Sequence, residues 1–131
     1  MTLDGDTLLI IEREFEPVPV SAAERSRVVE AYADTDWQLR PDQIPEHKPA
    51  IATFAIDVDG YLWVAPVMGE GEAFDVFDPE GYYLGQIESP VAFVMNAAAP
   101  ALRIGRDALY GVTRDSLDVE YVVRIRITGR R

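Results

Sequence analysis

Two stretches of this chain, Asp57-Val58-Asp59-Gly60-Tyr61-Leu62-Trp63-Val64 and Phe74-Asp75-Val76-Phe77-Asp78-Pro79-Glu80-Gly81-Tyr82-Tyr83-Leu84-Gly85, each set an acidic residue and a glycine between runs of β-branched and aromatic residues. A tight strand reversal needs a residue at positive φ, which glycine supplies without a Cβ penalty, and the flanking residue types suit a pleated, half-buried surface. Both stretches are therefore predicted β-hairpins. A chain built on successive hairpins is committed to antiparallel sheet.

The 131 residues, 48% of them hydrophobic, suffice for one domain burying roughly two-thirds of its unfolded surface, not for two independent ones. A formal net charge of −11 repels nucleic acid and anionic lipid at long range, so neither is an expected partner. The chain has no cysteine, which excludes a disulfide framework, a thiolate metal site and a cysteine nucleophile. Its start has no basic region followed by an apolar one, and no apolar run approaches the ~18 residues of a spanning helix. A cytoplasmic location is the default expectation.

Residues 7–20 read as a lone strand, with Leu8-Leu9-Ile10-Ile11 ahead of Glu12, Glu14 and Glu16, ended by Pro17 and Pro19, which cannot donate to a ladder. Ser21-Ala22-Ala23-Glu24 fits a capping box, predicting a helix from Ala22 to about Asp34. Val28, Val29 and Tyr32 form its apolar face, opposite Arg25, Arg27, Glu30 and Asp34. Residues 35–49, carrying three prolines, read as an irregular connector pinned to the body by Trp37 and Leu39.

Strands are then expected at 51–58, 61–67, 73–77 and 82–87. Phe54 and Ile56 alternate with Thr53 and Ala55, and Leu62 and Val64 with Tyr61 and Trp63, so both faces of this sheet are apolar and both need cover. A second set is expected at 92–95, 101–104, 108–113 and 119–128. Its last hairpin turns at Arg114-Asp115-Ser116-Leu117-Asp118, and its last strand sets Tyr121, Val123, Ile125 and Ile127 against Glu120, Arg124, Arg126 and Thr128.

Two four-stranded units of about 40 residues match the period of propeller blades. Residues 49–90 resemble an NHL-type repeat of bacterial six-bladed β-propellers: a strand entering Asp-x-Asp-Gly, an aromatic second strand, then Phe-Asp-x-Phe-Asp-Pro-Glu-Gly and a Tyr-Leu-Gly strand. Residues 92–128 resemble a degenerate blade that keeps Arg103-Ile104-Gly105 and Leu109-Tyr110-Gly111-Val112. The resemblance implies an all-β fold: a strand of a preceding blade over 7–20, a helix and connector over 21–49, a blade over 50–90 and a final blade over 91–128. It departs from the repeat in lacking an Asn-His-Arg-like element, with Val67-Met68-Gly69-Glu70-Gly71-Glu72 in its place, and in length, since six blades need about 240 residues. The chain resembles the C-terminal third of such a propeller.

A blade buries its faces only against neighbours, so two blades leave an apolar face open at each end. Three copies closing a ring, a separate chain carrying the remaining blades, or the helix acting as a cap would cover them; a truncated reading frame is the fourth possibility.

Candidate chemistry is sparse. Asp57 and Asp59 resemble the start of a calcium loop, but Gly60 comes too early and Met68 stands where the bidentate glutamate belongs, so turn chemistry is the expectation; Asp75, Asp78 and Glu80 read as a solvated hairpin end. No metal and no cofactor is expected. His47, the only histidine, lies in the connector and reads as structural or exposed, and no nucleophile elbow, P-loop or His-Glu-x-x-His pattern occurs. Most aromatics are expected in packing. Tyr82 and Tyr83 face opposite ways on one strand, so one ring is expected at an edge. With Trp37 and His47 they make up the possible binding surface. Arg124, Arg126, Arg130 and Arg131 form a local basic strip expected to pair with Glu12, Glu14 and Glu16 of a neighbouring strand or subunit. The function expected is a non-catalytic interaction or ligand-binding scaffold completed by its own copies or a partner; the rival is part of a lyase-like or hydrolytic propeller whose site other blades complete.

Overall fold

The computed structural model describes residues 9–67, 73–94 and 102–129. The chain divides into two compact units, one formed by residues 1–14 and 51–131 and the other by residues 15–50. Residues 7 and 8 of the expected N-terminal strand, residue 95 of the strand expected at 92–95, residue 101 of that expected at 101–104, the 68–72 part of the segment that replaces the Asn-His-Arg-like element, and Arg130 and Arg131 lie outside the described residues.

The first unit is all-β. Strands β1 (Ile51–Ile56), β2 (Leu62–Pro66), β3 (Ala73–Phe77) and β4 (Tyr83–Glu88) form an antiparallel sheet in the order β1-β2-β3-β4. Strands β5 (Arg103–Ile104), β6 (Ala108–Arg114) and β7 (Glu120–Arg126) form a second, in the order β5-β6-β7. The first sheet follows the expected strands closely. The second has three strands among the described residues: 92–94 form none, and the strand expected at 119–128 is Glu120–Arg126. Phe93 accounts for the difference, because its ring is buried against Gly111, where a Cβ would come within 2.4 Å of it. The chain there carries a core plug, held beside β6 by Val94 N–H donating to Val112 C=O (2.8 Å) and by the Thr113 hydroxyl donating to Ala92 C=O (2.7 Å).

The core lies between the inner faces of the two sheets. Trp63, Ala65, Phe74 and Val76 of the first meet Phe93, Ile104 and Leu109 of the second, with Val123, Ile125 and Ile127 partly buried around them. Trp63 meets Phe74 edge-on and Phe74 meets Phe93 at a tilt of 54°, each pair with ring centroids 6.2 Å apart. Register explains the membership: Ala55, Trp63, Val76 and Gly85 stand opposite one another, as do Leu109 with Ile125 and Gly111 with Val123.

Three hairpins share one closure. Asp57 Oδ1 accepts from the backbone N–H of Asp59 and Tyr61, Asp78 Oδ1 from Glu80 and Tyr82, and Asp115 Oδ1 from Leu117 and Val119. In each, the aspartate N–H donates to the C=O four residues on, which makes a three-residue loop whose last residue is left-handed: Gly60 (φ +88°), Gly81 (φ +91°) and Asp118 (φ +61°). The calcium-like spacing at Asp57 is thus spent on backbone amides.

The outer face of the first sheet is only partly covered. Residues 9–20 form no strand ladder, contrary to the lone strand expected there; Pro19 alone makes a bridge, to His47. Residues 9–13 instead reach the β3–β4 hairpin: Leu9 and Ile11 adjoin Gly81, and the Arg13 guanidinium pairs with buried Asp75 and lies 4.8 Å from the centre of the Tyr83 ring. Phe54 and Ile56 of β1 stay 64% and 65% exposed on the same face.

The second unit holds the helix α1 (Ala22–Ala31) and a 3-10 turn at Pro41–Gln43. Ser21 and Glu24 form the predicted capping box. The helix stops at Ala31 rather than Asp34, and no residue of it is buried.

Candidate binding surface

On one side of the sandwich β1 and β5 come together, and Arg106 donates to Asp59 (3.2 Å) across the turns beside them. On the other side no Cα of β4 lies within 8 Å of a Cα of β7. A groove opens there. It consists of two adjoining clefts of about 330 Å³ and 260 Å³ that share Trp63, Ile87, Ile127 and Thr128; Asp57, Tyr61, Val76 and Gln86 line the first, and Phe74, Phe93, Leu109 and Ile125 the second.

The floor is rigid because Asp57 has two tasks. Its Oδ1 closes the β1–β2 turn, and its Oδ2 accepts the Trp63 indole N–H at 3.0 Å, so the ring is locked by the same carboxylate that shapes the hairpin. One wall bends because β3 and β4 shift register between Val76 and Phe77: Val76 faces Gly85 and Phe77 faces Tyr83, leaving Leu84 as the extra residue of a bulge. An apolar floor with open strand edges on both sides suits an extended or flat apolar partner.

The residues proposed from sequence fall in both units. Tyr82 and Tyr83 belong to the sheet unit, 72% and 48% exposed. Tyr83 packs on Phe77 at 5.4 Å and its hydroxyl donates to Asp75 (3.3 Å), so Tyr82 is the freer ring. Trp37 and His47 belong to the other unit. Trp37 is 81% exposed and pins nothing, contrary to expectation, while Leu39 is half-buried. His47 lies in the bridge to Pro19, beside a cleft of about 430 Å³ lined by Val20, Val28, Ile44 and Pro45.

Three contacts went unread in the sequence. Asp75 is no solvated end but a buried mid-strand carboxylate satisfied by Arg13, Tyr83 and Gln86 (3.4 Å); its position between Phe74 and Val76 was the available signal. Arg25, assigned to the solvent face, donates to the backbone C=O of Pro41 (2.8 Å), Ile44 (2.7 Å) and Pro45 (3.3 Å), and so ties the connector to the helix. Arg124 donates to the Tyr110 hydroxyl (3.2 Å). Among the described residues no cluster of three or more His, Asp or Glu could hold a metal ion, and no helix is long and apolar enough to cross a membrane.

The Glu24 carboxyl is held well below its ordinary 4.5, at about 2, first by the Lys48 ammonium at 2.6 Å and then by the Ser21 amide. The Arg114 guanidinium is pushed upward, chiefly by its hydrogen bond to Glu120 (3.0 Å). Both are surface devices that tie neighbouring segments.

Comparison with known protein families, with curated proteins and with solved structures finds no match to this chain.

Proposed function

We propose that this protein is a non-catalytic interaction scaffold whose open apolar surfaces are covered by a second copy of itself or by another chain. The observation that carries the reading is the groove between β4 and β7, floored by Trp63, Phe74, Ile87 and Ile127. The exposed Phe54 and Ile56 on the far face of the same sheet support it. Contiguous apolar surface of this kind is unfavourable in water until another surface removes it. The meander order β1-β2-β3-β4 and the stacking of a second antiparallel sheet on its inner face are what a pair of adjacent blades from a six-bladed propeller would need, and partner chains would then supply the remaining blades.

Light scattering during size exclusion, paired with binding of an environment-sensitive hydrophobic dye, tests the reading. Mass that rises with concentration while dye emission falls supports coverage by a second copy. A monomer that binds the dye supports coverage by a different chain. A folded monomer at every concentration that binds no dye overturns the proposal.

A further inference from the structure

The surface through which a second copy would attach can be specified from the hydrogen-bond phase of β7. Ile127 N–H donates to Asp107 C=O (2.8 Å) and Asp115 N–H donates to Val119 C=O (3.1 Å), and the ladder between them keeps one register throughout. The odd-numbered residues of β7 therefore turn their backbone groups toward β6, and Glu120, Val122, Arg124 and Arg126 turn theirs to the open edge. Among the described residues β7 pairs with β6 alone. Val122, at the middle of that edge, is 74% exposed.

We propose that β7 pairs antiparallel with β7 of a second copy about a two-fold axis at Val122; this rests on the scaffold reading and adds to its apolar surfaces the strand edge through which a second copy attaches. An axis at Val122 matches the outward-facing backbone groups to one another and sets Glu120 opposite Arg124 of the second copy, twice over. Because Val112 already stands opposite Val122 and Arg114 opposite Glu120, the joined sheet carries an unbroken valine row across the axis. The Glu120 carboxylate then lies between Arg114 of its own chain and Arg124 of the other. Charges on an exposed edge ordinarily discourage such pairing. Here their order favours one arrangement: an in-register parallel pair sets glutamate on glutamate and arginine on arginine, and an axis at Arg124 sets that arginine against itself. The interface is isologous and closes at two copies, using an edge that needs no rearrangement.

Sedimentation equilibrium of the full chain up to about 1 mM, with circular dichroism of each variant, tests the pairing. The expected result is a reversible monomer–dimer equilibrium. Val122→Pro removes an N–H that faces away from β6, so it is expected to abolish the dimer while leaving the β spectrum unchanged. Arg124→Glu sets like charges across the axis and is expected to weaken dimerisation by about tenfold or more; combining it with Glu120→Arg is expected to restore it. A dimer untouched by Val122→Pro, or a double variant as weak as the single ones, overturns the β7 interface while leaving self-association intact. A chain that stays monomeric yet binds the hydrophobic dye overturns the β7 interface and leaves the scaffold reading to a different partner; a monomer that binds no dye overturns both. If Val122→Pro loses its β spectrum, the charge-reversal pair alone decides.

Discussion

The two units of this chain are stabilised by different means. The sheet unit buries Trp63, Phe74, Phe93, Ile104 and Leu109 in a common core, and its polar groups serve that core, as when Asp57 fixes the Trp63 ring. The helical unit has no buried residue in its helix and is held by polar staples: the Ser21–Glu24 box, the Glu24–Lys48 pair and the Arg25 guanidinium on three carbonyls. Hydrophobic burial scales with area, whereas surface hydrogen bonds and ion pairs trade one set of water contacts for another. A segment of this size without a core therefore ranks well below the sheets in local stability.

The largest expected effect tests the core side of that contrast. Phe74→Ala removes the ring that touches both Trp63 and Phe93, and is expected to cost about 3–5 kcal/mol in chemical denaturation, against less than about 1 kcal/mol for Val29→Ala in the helix. Equal costs would mean that the helical unit has a core as well. Next, Asp57→Ala strips two turn amides and the buried indole N–H of their acceptor and is expected to cost about 2–4 kcal/mol, with a red shift of tryptophan emission reporting the released Trp63 ring.

A smaller pair of opposite sign comes from the shared turn. Gly81→Ala places a Cβ at φ +91° and 3.0 Å from Leu9 Cδ2, and is expected to destabilise by about 1–2 kcal/mol. Asp118→Gly relieves the one non-glycine residue in that position and is expected to stabilise by up to about 1 kcal/mol in thermal melts. If both changes destabilise, the three turns are not equivalent.

The smallest effect is in the helical unit and depends on pH. Glu24 titrates lower in the folded chain than its ordinary 4.5, so its contribution is fully present above about 4.5 and is lost as pH falls toward 2. Helical signal monitored between about pH 5 and pH 2 is expected to decline in the native chain and to change less in Glu24→Gln. Identical curves for the two proteins would remove Glu24 and Lys48 as the staple.

Local signals in the chain were legible where neighbours in sequence do the work. An acidic residue followed by glycine, Asp59-Gly60 and Glu80-Gly81, marked the two hairpins that Asp57 and Asp78 close, and Ser21 with Glu24 marked the start of the helix, because each closes on amides within four residues. Long-range arrangements were not. The run Leu9-Ile10-Ile11 has strand composition yet forms no ladder, since composition does not say whether a sheet edge is available to it. Phe93 looked like one more strand residue, and only its seat on Gly111 distinguishes it as a plug. Trp37 has the size of an anchor yet is exposed, since a large ring anchors only where another surface meets it.

Turn chemistry, capping and the period-two alternation were thus properties of the chain itself, set by interactions a few residues long. Which faces of the sheets meet, where the aspartates and arginines find their partners, and that β4 and β7 part to leave a groove were settled by packing. Those outcomes depend on contacts between residues tens of positions apart, and their free energies exist only once the sheets have come together.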